Sequence, residues 1–330
     1  MSMQETMFWT KEGKKLRCSL CSFSCLMDNG EIGRCRMRYN EKGILKTKNY
    51  GKIKDMQKFS IETLPMYHFY PGNDVMLIST LGTNIEWKTP FEEKTKGNKI
   101  KVENLIKEIN SSKTKLIAFN EGEPIISFET VFKIVRLAKR YNIKTILITN
   151  GFISSEPIKK IGKYLDGALI KIIASADEKF YREYLNVEDT QPLFDTMKNF
   201  KKHRVFVEVT NTIIPEIGED EQSHAHLVDW LINNLDSSVP YHLIKFEPFG
   251  KFENIPETPP ELFEKFVFEA EKSGLRYVYV QDPSVAGYNT TYCYNCRYPL
   301  IERLGNAIME NRLDGDRCPS CGFKINLLIE

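Results

Sequence analysis

The chain has 330 residues, 42% of them hydrophobic, and a formal net charge of +2. That is enough apolar material to bury a sizeable core, which excludes a disordered or fibrous protein and allows one large domain or two to three smaller ones. No apolar run approaches the roughly 18 residues of a membrane span, and the opening "MSMQETMFWTKEGKK" lacks the apolar stretch of a secretory signal, so a cytoplasmic protein is expected.

The first segment, 1–70, is basic. Residues 11–58 carry 13 Lys and Arg against 5 Asp and Glu, so the rest of the chain is mildly acidic. The same segment holds "CSLCSFSCLMDNGEIGRC", with Cys18, Cys21, Cys25 and Cys35. In a reducing compartment four thiolates this close together point to metal rather than to disulfides. Zinc suits the spacing, and an iron–sulfur cluster suits it too.

Apolar runs and helical patterns then alternate through 71–286. Strands are expected at Val75–Thr80, Lys115–Phe119, Lys144–Thr149, Gly167–Ile173, Arg204–Thr210, Tyr241–Phe246 and Leu275–Val280. Helices are expected at Val102–Ile109, Ser127–Tyr141, Pro157–Leu165, Pro192–His203, Gln222–Leu235 and Pro260–Ser273. This succession implies a parallel sheet, open or closed into a barrel, with function in the loops at the carboxyl ends of the strands. Those loops include "LGTNIEWK", "NEGEP" and "TNGF". The carboxylates Glu121 and Glu123 of "NEGEP" suit a substrate amine or a helix cap equally well. His224 and His226 of "HAH" point to opposite sides of a helix, so a surface role is expected rather than a metal site.

The last segment, 287–330, contains two CxxC pairs, Cys293/Cys296 and Cys318/Cys321, about twenty residues apart. Two such knuckles offer four thiolates to a tetrahedral zinc, with a rubredoxin-like iron site as the competitor, and "LIERLGNAIMENRL" reads as the hairpin between them.

Nine stretches carry a family resemblance over nearly the whole chain: "CSLCSFSCLMDNGEIGRCRMRYNEKG", "LPMYHFYPGN", "FNEGEP", "ILITNGFISSEPI", "VEVTNTIIP", "YHLIKFEP", "GLRYVYV", "TYCYNC" and "RCPSCG". The sequence resembles radical S-adenosylmethionine proteins of the pyruvate formate-lyase activating-enzyme type, particularly the AmmeMemoRadiSam-system branch. The resemblance implies an α/β fold, a partial (β/α)6 TIM-like barrel at 71–286. A cysteine-rich segment at 1–70 and a zinc ribbon at 287–330 flank it. In that family a Cys-x3-Cys-x2-Cys loop after the first barrel strand holds a [4Fe-4S] cluster. Its fourth iron binds S-adenosylmethionine. Aligned on "LGTN", the three positions are Thr83, Trp87 and Pro90, none of which can ligate iron as a thiolate. The family's Asp-x-Lys on the fourth strand is replaced by Lys171 and Ile173. Gly122, Glu123 and Pro124, with Thr149, Asn150 and Gly151, match family turns that lie around the cofactor methionine. Gly122, Glu123 and Asn150 are therefore vestigial cofactor positions.

Three functions follow as expectations. The first is a catalytically degenerate barrel acting as a binding or structural factor. The second is an enzyme that binds S-adenosylmethionine without a cluster, and the third is a radical enzyme whose cluster sits on Cys18–Cys35. The expected partner of the basic head is structured RNA, such as a ribosomal subunit, with a protein partner as the alternative and neither DNA nor a membrane expected. Arg34, Arg36 and Arg38 would share one side of an extended segment, Tyr39 would stack on a base, and Lys46 and Lys48 would follow the phosphates.

Overall fold

The computed structural model describes residues 6–87, 96–282, 285 and 287–329. The chain divides into two compact units, one made of residues 1–59, 74–168 and 185–206, the other of 60–73, 169–184 and 207–330.

The first unit opens with small antiparallel pieces: β1 (Trp9–Glu12), β2 (Lys15–Cys18) and β3 (Leu26–Met27), then the hairpin β4 (Arg38–Glu41) and β5 (Ile44–Thr47). β6 (Lys52–Ile53) and β7 (Asp55–Ser60) follow. Next come β8 (Asp74–Ser79), β9 (Asn98–Lys99), α1 (Val102–Ser111), β10 (Leu116–Asn120), α2 (Phe128–Arg140), β11 (Lys144–Thr149) and α3 (Ser155–Ile161). β10 runs parallel to both β8 and β11, with Leu116 level with Val75 and Lys144. α2 buries Val131, Ile134, Val135 and Ala138 at helical spacing and leaves Lys133, Arg136, Lys139 and Arg140 exposed.

β12 (Gly167–Ile173), α4 (Glu178–Leu185), α5 (Gln191–Lys202) and β13 (Phe206–Ile213) continue the series. The second unit completes it with α6 (Glu221–Asn234), β14 (Tyr241–Lys245), α7 (Pro260–Ser273) and β15 (Val278–Gln281). Here β14 is parallel to both β13 and β15. Caps set the helix limits. The Asp220 side chain accepts from Ser223 N at the start of α6, and Gly274, at φ 110°, ends α7 in a left-handed turn. The chain ends in the three-stranded ribbon β16 (Thr291–Tyr292), β17 (Pro299–Leu304) and β18 (Ala307–Asn311). Eight strands, β7, β8 and β10 to β15, form the central series in chain order, the α/β class of a partial (β/α)6 barrel.

One buried ion pair ties the N-terminal segment to α2. Arg38 donates to Glu129 Oε1 and to the Met7 carbonyl, both at 2.7 Å, and the two side chains are only 1% and 5% exposed. Arg34, Arg36 and Arg38 therefore do not share a solvent side. A turn from Gly33 to Arg36 ends with Arg36 at φ 59°, so Arg36 is exposed while Arg38 lies inside and Arg34 is half-buried.

A second buried network belongs to the other unit. The Glu208 carboxylate accepts the backbone N–H groups of Tyr67 and His68 at 3.0 Å and lies 2.8 Å from His242 Nε2. His68 Nε2 lies 2.7 Å from the Tyr279 hydroxyl, and Arg303, from β17, donates to the Tyr67 carbonyl at 3.0 Å. His224 is also fully buried, 3.2 Å from Glu269, because it falls on the apolar stripe of Leu227, Val228 and Leu231. The expected surface role holds for His226, which is exposed, and not for His224.

Two outcomes are expected. Arg38→Met strands Glu129 as an unpaired buried charge and costs on the order of 3–5 kcal/mol in denaturant unfolding, whereas Arg38→Met with Glu129→Leu recovers most of the loss. Recovery of nothing would mean that Arg38 acts only through Met7. The second outcome concerns pH. Burial pushes Glu208 up to about 7 and lowers His242 to about 3, His68 to about 4 and His224 to about 3. Between the ordinary carboxylate value of 4.5 and the ordinary histidine value of 6.5, the unfolded chain holds three protons on these four groups and the folded chain one. Stability of this unit should therefore rise with pH across that window, by about 3 kcal/mol per pH unit from these groups. His224→Phe should remove about half of the slope, read from denaturant midpoints, and an unchanged slope would refute the assignment.

Candidate metal centres and strand-end loops

The ribbon brings Cys293, Cys296, Cys318 and Cys321 together, with all four sulfurs within 4.8 Å of one another. Cys293 and Cys321 are 3.6 Å apart, as are Cys296 and Cys318. A tetrahedral ion with bonds of about 2.3 Å needs sulfur–sulfur edges near ~3.8 Å, so the group fits a metal. The two knuckles are built alike. Cys293 N donates to Tyr298 O and Cys318 N to Phe323 O, and Arg297 and Gly322, each following the second cysteine, are left-handed at φ 60° and 72°. The β17–β18 hairpin joins them, as the sequence suggests. Cys293 and Cys318 are buried beside Tyr67, Tyr277, Tyr279, Leu300 and Ile325, while Cys296 and Cys321 are exposed. Burial pushes the Cys293 thiol up to about 12, and a hydrogen bond with Asn295 draws that of Cys321 down to about 6.

The N-terminal cysteines are looser. Cys18, Cys21, Cys25 and Cys35 line one cavity of about 10 Å³ with Gly33, Arg34 and Arg38. Cys25 Sγ accepts from the Arg34 backbone N–H at 3.5 Å, and Arg38 Nη1 lies 4.0 Å from Cys18 Sγ. Burial raises the Cys18, Cys21 and Cys35 thiols above their ordinary value. Among the described residues, the tight four-sulfur grouping of the ribbon has no counterpart here.

This cysteine segment sits on the loops that follow β8, β10 and β11. Cys21 pairs with Ile153, Ser22 N donates to Phe152 O, and Ser154 N to Leu20 O. Arg34 stacks over the Phe23 ring at 4.1 Å and donates to the carbonyls of Asn84, Leu185 and Asn186. Asn49, 1% exposed, gives its amide to the Leu81 and Ile126 carbonyls.

Beneath that cover the expected cofactor positions are bonded to one another. Glu123, 1% exposed, accepts from Thr149 Oγ1 at 2.7 Å, Asn150 N at 2.8 Å and Ile125 N at 3.3 Å. Asn150 donates to Asn84 Oδ1 at 2.8 Å. Gly122 follows Glu121, both with positive φ, and a Cβ on Gly122 would stand 2.4 Å from the Gly82 carbonyl, so only glycine fits. Of the aligned cluster positions, Thr83 is buried and donates to Ile85 O, Trp87 is half-buried, and Pro90 lies outside the described residues.

Of the expected partner residues, Arg36 and Lys48 are exposed, and Lys48 lies 5.8 Å from the centre of the half-buried Tyr39 ring. Lys46 is paired with Glu41. Sequence reasoning missed the inward roles of Arg34, Arg38 and Asn49, and it passed over Glu208. A charged residue within the apolar alternation of "VFVEV" was the available signal for the last.

No family model matches the chain. Among solved structures, a radical SAM methyltransferase from Sphaerobacter thermophilus aligns with a TM-score of 0.50 at 12% identity, over 64% of this chain and 67% of its own. A domain of pyruvate-formate lyase-activating enzyme from Bacteroides vulgatus aligns with a TM-score of 0.42 at 14% identity, over 49% of this chain and 96% of that domain. The first of these likenesses shows the fold alone, that of a radical SAM barrel. The curated relative "Uncharacterized protein MJ0808" of Methanocaldococcus jannaschii is 31% identical over 345 residues, covering 99% of this chain and all of the relative. The chain belongs to the family of that Methanocaldococcus jannaschii protein.

Proposed function

We propose that this protein is a binding factor built on a radical-SAM-like barrel that has lost its cluster chemistry, and that its partner is structured RNA. The observation that carries the first half is the closure of the strand-end loops by the chain's own N-terminal segment. Arg34 and Asn49 take carbonyls of the loop after β8, and both Glu123 carboxylate oxygens already accept protein donors. A methionine amine would have to displace these bonds, and residues 82–87 offer no thiolate to an iron. The site therefore does not fit a cluster with S-adenosylmethionine.

Zinc is the proposed metal at both cysteine sets. The ribbon's 3.6 Å sulfur pairs suit a tetrahedral ion. The four N-terminal cysteines line one cavity, which a single ion would share. RNA is supported by the charge of the head, where 13 basic residues face 5 acidic ones across 11–58. With Arg38 buried and Arg34 turned inward, Arg36, Lys42 and Lys48 are among its exposed cations.

Two experiments test this reading. Reduced protein incubated with S-adenosylmethionine is expected to release no 5′-deoxyadenosine above background, and stoichiometric release would refute it. Elemental analysis of anaerobically purified protein is expected to give about two zinc per chain and no iron. Cys318→Ser should lower this to one and destabilise the second unit, because metal binding at such a site contributes on the order of 10 kcal/mol to folding. Four irons with acid-labile sulfide would instead return the N-terminal site to cluster chemistry.

A further inference from the structure

A second positive surface of the first unit lies on α2 and the α3 region. Residues 128–164 contain eight Lys and Arg against two Asp and Glu. Both carboxylates are already engaged, Glu129 by Arg38 and Glu156 by Lys159. Lys133 is matched by Glu103 at 2.9 Å, but Arg136, Arg140 and Lys160 have no carboxylate partner among the described residues. These three cations line a single open groove of about 640 Å³, together with Tyr50 and Phe132.

Phe132 joins the groove to a neighbouring feature that a merely solvated helix face lacks. Phe132 and Tyr164 are both half-buried and meet edge to face, 5.6 Å between ring centres. Four cations surround the two rings. Arg136 and Lys160 lie 5.5 and 5.6 Å from the centre of Phe132, and Lys139 and Lys163 lie 5.8 and 5.2 Å from the centre of Tyr164. Cations alternating with partly exposed rings suit a chain of phosphates carrying flat bases, because phosphate takes the cations and the base π-face takes the ring. An acidic peptide would use the charges and leave the rings idle.

We propose that this groove, on α2 and the α3 region, is a single-stranded RNA-binding site, with Arg136, Arg140 and Lys160 on phosphates, Phe132 as the stacking ring within the groove and Tyr164 beside it. The proposal rests on the RNA reading given above and moves the main contact from the cysteine-rich head to the helical face. Ordered phosphate contacts of this kind release counterions, so binding is steeply salt-dependent.

Fluorescence anisotropy with a 20-nucleotide uridine-rich RNA, at several salt concentrations, tests it on the full-length, metal-replete chain. The triple variant Arg136→Glu/Arg140→Glu/Lys160→Glu is expected to lose at least about tenfold in affinity, and the slope of log K against log salt should fall by about 2 units, at roughly 0.7 per phosphate contact. The charge-preserving Arg136→Lys/Arg140→Lys should keep most of the binding, which separates lost contact from lost folding. Arg36→Glu/Lys48→Glu on the head should have the smaller effect. The inference is overturned, with the RNA reading intact, if the groove variant binds like the unmodified protein while the head variant does not. It is also overturned if polyglutamate competes as well as RNA, which would assign the groove to an acidic protein, or if mononucleotides bind as tightly as the strand. Absence of binding of this strand by the unmodified protein overturns the groove inference alone, since the structured-RNA reading does not require affinity for an unpaired strand.

Discussion

A guanidinium and a carboxylate that cannot reach water must satisfy each other, and the first unit is organised around such a pair. Arg38 and Glu129 are 2.7 Å apart, and Arg38 also holds the Met7 carbonyl and approaches Cys18. Through them the N-terminal strands, the cysteine cavity and α2 become one mechanical piece. The pair is weak evidence for net stability, since two well-packed apolar residues could serve as well, but strong evidence for position, since neither charge tolerates the loss of the other. It fixes where the cysteine segment lies over the strand ends. It also neutralises Glu129, so the cations on the outer face of α2 meet no opposing charge from below.

The loops after β8 and β10 have a backbone shape that contacts within the chain account for. Glu121, Gly122 and Gly82 adopt positive φ, and Glu123 N donates to the Gly82 carbonyl at 2.7 Å. A side chain at Gly82 would meet Met37 at 2.6 Å and Ile126 at 2.7 Å. These glycines are thus required by contacts within the chain itself, and their presence is no sign of a bound cofactor. The same holds for Glu123 and Asn150, whose bonds to Thr149 and Asn84 complete the interior. Backbone and side-chain hydrogen bonds within the chain are enough to hold these turns.

The regular elements were legible because their apolar spacing is strong. The expected Lys144–Thr149, Gly167–Ile173 and Pro260–Ser273 match β11, β12 and α7 end to end. α4 at Glu178–Leu185 was missed because "SADEKF" reads as a loop and the helix is short. The ribbon's metal group was legible from its paired CxxC spacing alone, since each knuckle is a local structure. The arginines of "GRCRMRYN" were misread because an extended segment was assumed where the chain turns at Arg36, and one left-handed residue sends its neighbours to different sides. The burial of Arg303 against Tyr67 depends on a partner distant in sequence, which no local pattern contains. The pair Arg38 and Glu129, separated by 91 positions, is the clearest case.

The ribbon's cysteines are unequal in a way that bears on exchange kinetics. Cys293 and Cys318 are sealed among tyrosine and aliphatic side chains, and Cys296 and Cys321 face solvent. A competing chelator or an oxidant therefore approaches the centre from one direction only and meets the outer sulfurs first. Detachment of those two would leave an ion held by the inner pair, still inside a packed cluster that resists opening. Release would then proceed in two stages, a rapid reversible one at the surface and a slow one limited by local unfolding of the tyrosine cluster.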